Sequence, residues 1–211
     1  MRITLTNLTT PTARRPVAAL AVGVALALVL TACGNSNNST AAPSPTSPAA
    51  GSSTGQAIAA THNDADVTFI NDMAPHHSGA IAMAQLAAGQ AGSPQVKDLA
   101  NRISGAQAPE INKMRAMATA WKVTLNTDAG AMTGMGGSSS GDDVGALKPL
   151  TGRSFDKEFL TRMTAHHTSA VQMAQTEIAK GSNPQAKELA ASIVAAQQKE
   201  IAEMAGLLTS A

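Results

Sequence analysis

Apolar positions recur at helical spacing from about residue 62 to 123. At 100° per residue Asp66, Phe69, Met73, Ala80 and Ala84 share one stripe, with Met83 at its edge and His76 and His77 straddling its centre. A second stripe carries Leu99, Ile103, Gln107, Glu110, Ile111, Met114 and Met117. Between them Gly92-Ser93-Pro94 stops one helix and starts another, with Ser93 placed as N-cap and Pro94 at the first helical position. The first helix is predicted to begin near Asn63 or Asp64 and to reach about Gly89; the second reaches about Val123.

The pattern then repeats ninety residues on, without a gap. Asp66, Phe69, Met73, His76, His77, Ala80, Met83 and Ala84 recur as Asp156, Phe159, Met163, His166, His167, Ala170, Met173 and Ala174. The register holds through Gln107/Gln197, Glu110/Glu200 and Met114/Met204, and about 20 of about 50 aligned positions are identical, which is duplication. The copy predicts a helix over about residues 154–180, a break at Gly181-Ser182-Asn183-Pro184, and a helix to about residue 208. Residues 126–145 between the copies are Gly- and Ser-rich, hold Met132 and Met135, and read as a loop. Two hairpins with short turns pack as a four-helix bundle, so the fold class is all-α, made of two sequence-similar helical hairpins.

The chain before residue 61 has a different character. Arg2, Arg14 and Arg15 precede an apolar run at residues 17–30, long enough for a signal-peptide core and too short to span a bilayer. The run ends in Leu30-Thr31-Ala32-Cys33, which holds the one cysteine of the chain and resembles a bacterial lipobox. Residues 1–32 are therefore expected to be a lipoprotein signal peptide. Residues 33–60 read as a lipidated Cys33 and a flexible Ser/Pro/Ala-rich tether, and 61–211 as the duplicated domain. The expected place is the outer face of a bacterial membrane, held by the lipid. A formal net charge of +1 over 211 residues gives no pull toward nucleic acid.

With Cys33 committed, any metal must be held by His, Met or carboxylate. If each hairpin turns near residues 91–92, Met73 lies opposite Glu110 and His76 opposite Gln107, within about one turn, and the copy does the same with Met163, Glu200, His166 and Gln197. A Glu on an apolar stripe is costly unless a cation or donor meets it. Pro75, with Ala165 in the copy, is expected to kink the helix directly before His76.

These motifs resemble the domain of unknown function 305 family, placed in the ferritin-like superfamily. The resemblance rests on Asp66…Phe69…Met73…His76-His77…Ala80…Met83-Ala84, its copy, and the Glu110/Glu200 and Met114/Met204 pattern; it covers about residues 62–208. It implies a ferritin-like bundle in small secreted or membrane-anchored bacterial proteins, some of them associated with copper. Carried over by position, it points to His76, His77, His166 and His167 with Met73, Met83, Met163 and Met173.

Those eight residues form the expected metal set, with Glu110, Gln107, Glu200 and Gln197 around them, and copper as the ion. No organic cofactor is expected. Thioether favours Cu(I) and imidazole accepts either copper state. Each hairpin is expected to carry its own site, unless the two His pairs face each other and share one ion. Because imidazole must be neutral to bind, Cu(II) is expected to leave between about pH 7 and 5 while Met-held Cu(I) is partly retained. A competing reading makes the chain a structural or interaction lipoprotein whose His–Glu pairs only fix bundle packing, since Met at helical spacing is usually core filler. Catalysis is disfavoured: a ferritin-like di-iron site wants Glu-x-x-His, which does not occur here.

Overall fold

The computed structural model describes residues 57–128 and 140–210. They form five helices: α1 (Asp64–Gln90), α2 (Pro94–Trp121), α3 (Ser140–Leu147), α4 (Gly152–Lys180) and α5 (Pro184–Ser210). No strand occurs among the described residues; one isolated bridge joins Ala91 and Gly152. The fold is the all-α bundle of two hairpins. The lipobox with Cys33, the tether before residue 57, and Met132 and Met135 lie outside the described residues. None of the described helices is long and apolar enough to cross a membrane.

Local chemistry sets the helix limits. Asn63 caps α1 through a reciprocal capping box with Asp66, its side chain accepting from the N–H groups of Ala65 and Asp66. Helix α1 runs unbroken through Pro75, so the proline removes one donor without ending the helix. Pro94 opens α2, but the Ser93 hydroxyl makes no capping bond and donates instead to Gln95. Asn183 does cap α5, accepting from the N–H groups of Gln185 and Ala186.

The missing cap at α2 comes from the other repeat. Asp156, at the start of α4, accepts hydrogen bonds from the N–H groups of Gly92 and Ser93 at 3.0 and 2.8 Å. Reciprocally, Asp66 at the start of α1 accepts from Ser182 and Asn183 before α5. Thus α1 and α4 run antiparallel, each hairpin clamps the turn of the other, and the two pack mainly through α1 and α4. The duplicated aspartate, which the sequence places at the head of an apolar stripe, is buried because it satisfies orphan helix-start donors.

The region read as loop contains α3, a correction. It is eight residues long, and a helix so short depends on packing. Leu147 is fully buried, and Asp143 pairs with Arg162 of α4 at 2.7 Å. Gln90 then holds the chain into α4 by donating to the carbonyls of Leu147, Lys148 and Leu150. Gly152 has φ +60, and a Cβ on Gly92 would stand 2.9 Å from Gly152 Cα, so the close approach of these segments needs glycine.

The core is in two parts. One cluster joins Phe69, Ile70 and Met73 of α1 to Met114, Met117 and Trp121 of α2 and Leu189 and Ile193 of α5. The other joins Met83 and Ala87 of α1 to Leu99 and Ile103 of α2 and Phe155, Phe159 and Met163 of α4. Each fully buried side chain of this size contributes about 1.5–3 kcal/mol. Between the two clusters every long helix sets buried polar side chains: His76 and His77, Gln107, His166 and His167, Gln197.

Candidate functional site

That polar layer is where the duplicated histidines meet. His77 and His167 are fully buried, and His76 and His166 nearly so. The His76 and His166 rings face each other across the α1–α4 contact with centroids 3.7 Å apart. His77 Nε2 lies 2.7 Å from Glu110 Oε2, and His167 Nε2 lies 2.8 Å from Glu200 Oε2. The turn-centred register places Met73 opposite Glu110, whereas the bond reaches His77, one turn nearer the turn. Helical side chains lean toward their own N-terminus, so Glu110 on α2 leans back toward the turn.

The carboxylates do more than neutralise. A neutral His77 that donates its Nε2–H to Glu110 keeps a bare lone pair at Nδ1, and His167 does the same through Glu200. Nδ1 of each of the four histidines is buried without a partner, as is Nε2 of His166. Gln107 and Gln197 reach the layer with unpartnered amide atoms. Burial, then the neighbouring imidazoles of His77 and His167, lower His76 to about 3. Burial, then the neighbouring imidazoles of His76, His167 and His77, hold His166 well below the ordinary imidazole value. The expectation that proton competition sets in near the unperturbed value is corrected for these two rings: desolvation keeps them neutral and available as donors well into the acid range.

The methionines divide. Met73, Met83 and Met163 are fully buried within the apolar clusters on either side of the layer. Met173 is only half-buried and faces a groove of about 1090 Å³ between α1 and α4 that also reaches His76 and His166. The same groove carries Asp72, one turn before His76, and at the duplicated position Arg162, held by Asp143 and Glu158. Among the described residues no three His, Asp, Glu or Cys groups converge as a finished metal cage. Met204 accepts from the Thr164 hydroxyl at 3.7 Å. His62, just before the α1 cap, stacks on Trp121 with centroids 4.8 Å apart.

The chain matches the family described as Domain of unknown function (DUF305) over residues 66–208. It is 38% identical over 53 residues to Uncharacterized protein L153 of Acanthamoeba polyphaga mimivirus, a match over 25% of this chain; the chain spans about a third (35%) of that curated relative. A DUF305 protein from Streptomyces coelicolor shares the fold at 28% identity and a TM-score of 0.61, covering 69% of this chain and 93% of that one. A DUF305 fragment from Deinococcus radiodurans does so at 27% identity and 0.63, covering 71% and 98%. CopM in a Cu(II)-bound form gives 32% identity and 0.61, covering 69% and 96%. CopM also has Cu(I)-bound and Ag-bound forms of the same fold.

Proposed function

The chain belongs to the DUF305 family, and we propose that within it this protein is a copper-binding protein of the cell envelope, tethered through a lipid on Cys33. The observation that carries the reading is the meeting of His76 and His166, neutral and with unpartnered nitrogens, between two carboxylate-oriented histidines. The copper- and silver-bound forms of CopM support the choice of ion. One copper is shared by the two repeats rather than held by each alone, because the inner imidazoles are in contact. His76 and His166 supply nitrogen. Met73 and Met163, one turn before them, supply thioether that favours Cu(I), with Met83 and Met173, seven residues further along the same helices, outside the reach of that one ion. Glu110 and Glu200 fix the tautomers of His77 and His167, which complete the donor set. The role is sequestration or handling rather than catalysis.

A second reading has an observation of its own. The His77–Glu110 and His167–Glu200 bonds each tie the two helices of one hairpin, and three of the four methionines are packed as core. On that reading the pairs only fix register. Native mass spectrometry with Cu(I) separates the two. Shared binding gives one ion per chain, lost in His76→Ala and in His166→Ala alike. Two ions, with one surviving each substitution, returns the site to separate hairpins. No uptake by the unaltered chain leaves the packing reading.

A further inference from the structure

The turn between α4 and α5 buries two carboxyl groups against each other. Asp66 accepts hydrogen bonds from the backbone of Asn63, Ser182 and Asn183 and from the Ser182 hydroxyl, an arrangement that suits an ionised acceptor. Glu177 of α4, only 1% exposed, lies beside it, and neither of its carboxyl oxygens has a donor. Gly181 makes room for the pair: a Cβ there would collide with Glu177 Oε1 and stand 2.8 Å from Asp66 Oδ1. Two carboxylates cannot both stay ionised in so dry a place, whereas a proton on Glu177 makes it a donor to Asp66.

We propose that Glu177 and Asp66 share one proton, and that this bond latches the segment leading into α1 onto the end of the bundle. Residues 57–63 are held there by the same turn. Asn183 Nδ2 donates to the carbonyls of Ala59 and Thr61, and Asn63 Nδ2 donates to the Lys180 carbonyl. Trp121 Nε1 donates to the Ala59 carbonyl beneath the stacked His62. Loss of the proton sets a second negative charge against Asp66, drives the Ser182–Asn183 turn off α1 and frees the segment. Lys187 of α5 is the cation facing Glu177, and Asp64 of α1 and Lys180 of α4 line the groove with it. Burial first, then the hydrogen bond and charge of Asp66, raise Glu177 to about 8 against the pull of Lys187. Asp66, although burial opposes it, is lowered to about 2 by its hydrogen bonds from Glu177, Asn183, Asn63 and Ser182. The latch is one-sided, because the duplicated position of Glu177 is Ala87.

The test uses the full chain between about pH 7 and 10, a window with no tyrosine to interfere, since the chain has none. Trp121 emission reports the segment, and amide protection factors of Ser182 and Asn183 report the clamp. In the unaltered chain both are expected to change with a midpoint near 8, the protection factors falling about tenfold. Glu177→Gln, which keeps a donor for Asp66 without a titrating proton, is expected to hold both signals flat. Glu177→Ala, copying the first repeat, whose aspartate clamp on Gly92 and Ser93 holds beside Ala87, is expected to be flat as well. A flat unaltered chain, or a transition that survives Glu177→Gln, overturns the proposal.

Discussion

The two ends of the bundle carry the same duplicated aspartate and have diverged around it. At one end Asp156 clamps Gly92 and Ser93, the neighbouring segments touch through Gly92 and Gly152, and α3 fills the flank. At the other, Asp66 clamps Ser182 and Asn183 but also takes the Asn63 N–H, faces Glu177 and helps hold residues 57–63. The middle has kept its symmetry, with His76 against His166 and two matching His–Glu bonds. Positions that must meet their own copy across the α1–α4 contact are thus preserved in pairs. Positions that meet only one end have been free to drift, and each end has acquired its own chemistry.

The ends are compared most directly by removing the clamps. Asp66→Ala leaves three backbone donors, of Asn63, Ser182 and Asn183, without their charged acceptor, where Asp156→Ala strands two. At about 1–3 kcal/mol for each stranded group, partly recovered by water, Asp66→Ala is expected to cost about 3 kcal/mol or more and Asp156→Ala about 2 kcal/mol in urea unfolding. Equal losses would mean that the extra partners at the Asp66 end contribute nothing.

Acid and alkali act on different regions, and this separates the middle from the end. His76 is lowered to about 3 in the folded chain, so between the ordinary imidazole value of 6.5 and about 3 the unfolded chain binds more protons, and stability is lost as pH falls through that window. Glu177 is raised from 4.5 to about 8, so the folded chain binds more protons there, and stability is lost as pH rises through it. The metal-free protein is therefore expected to lose an alkaline arm of its stability curve in Glu177→Gln, an arm below the one-proton slope of about 1.4 kcal/mol per pH unit, and to keep the acid arm, to which His166 adds. Denaturant midpoints measured at pH 4, 6 and 8.5 check it. An alkaline arm that persists in Glu177→Gln would move the titrating group away from the Asp66 end.

The hairpins were legible because stripe spacing and the Ser-Pro and Asn-Pro starts are local signals, readable within a dozen residues. What was not legible is what depends on the other repeat. Asp66 finds Ser182 and Asn183 more than a hundred positions away, and a stripe diagram shows it only as a polar residue among apolar ones. Glu177 could have been noticed as the charged residue that replaces Ala87 in the copy, but only three-dimensional packing reveals the carboxylate it faces. Helix α3 depends on Leu147 finding a core and Asp143 finding Arg162. The meeting of the histidines was partly legible: periodicity set His76 and His77 astride the apolar stripe, with at least one of each pair inward. The direction in which side chains lean moved the carboxylate contact by a turn, and burial moved the titration of His76 and His166 far down.

The symmetry of the middle can itself be broken on purpose. Glu110 and Glu200 are equally shielded, at 15% and 14% exposure, and stand 2.7 and 2.8 Å from their histidines. Replacing either by Leu keeps the bulk and removes the acceptor, so the freed imidazole loses its fixed tautomer. Each substitution is expected to cost about 1 kcal/mol of metal-free stability. On the copper reading, each also weakens Cu(I) binding about tenfold, the loss typical of a ligand that keeps its nitrogen but loses its orienting partner. Glu110→Gln and Glu200→Gln, whose amide oxygen still accepts from Nε2–H, should restore most of both. Competition titration with a Cu(I) chelator and urea unfolding read the two effects separately. A stability loss without any change in copper affinity would show that the carboxylates only hold the hairpins together. A loss of affinity in one variant and not its duplicate would show that the shared centre leans on one repeat, and that the drift seen at the ends has reached the middle.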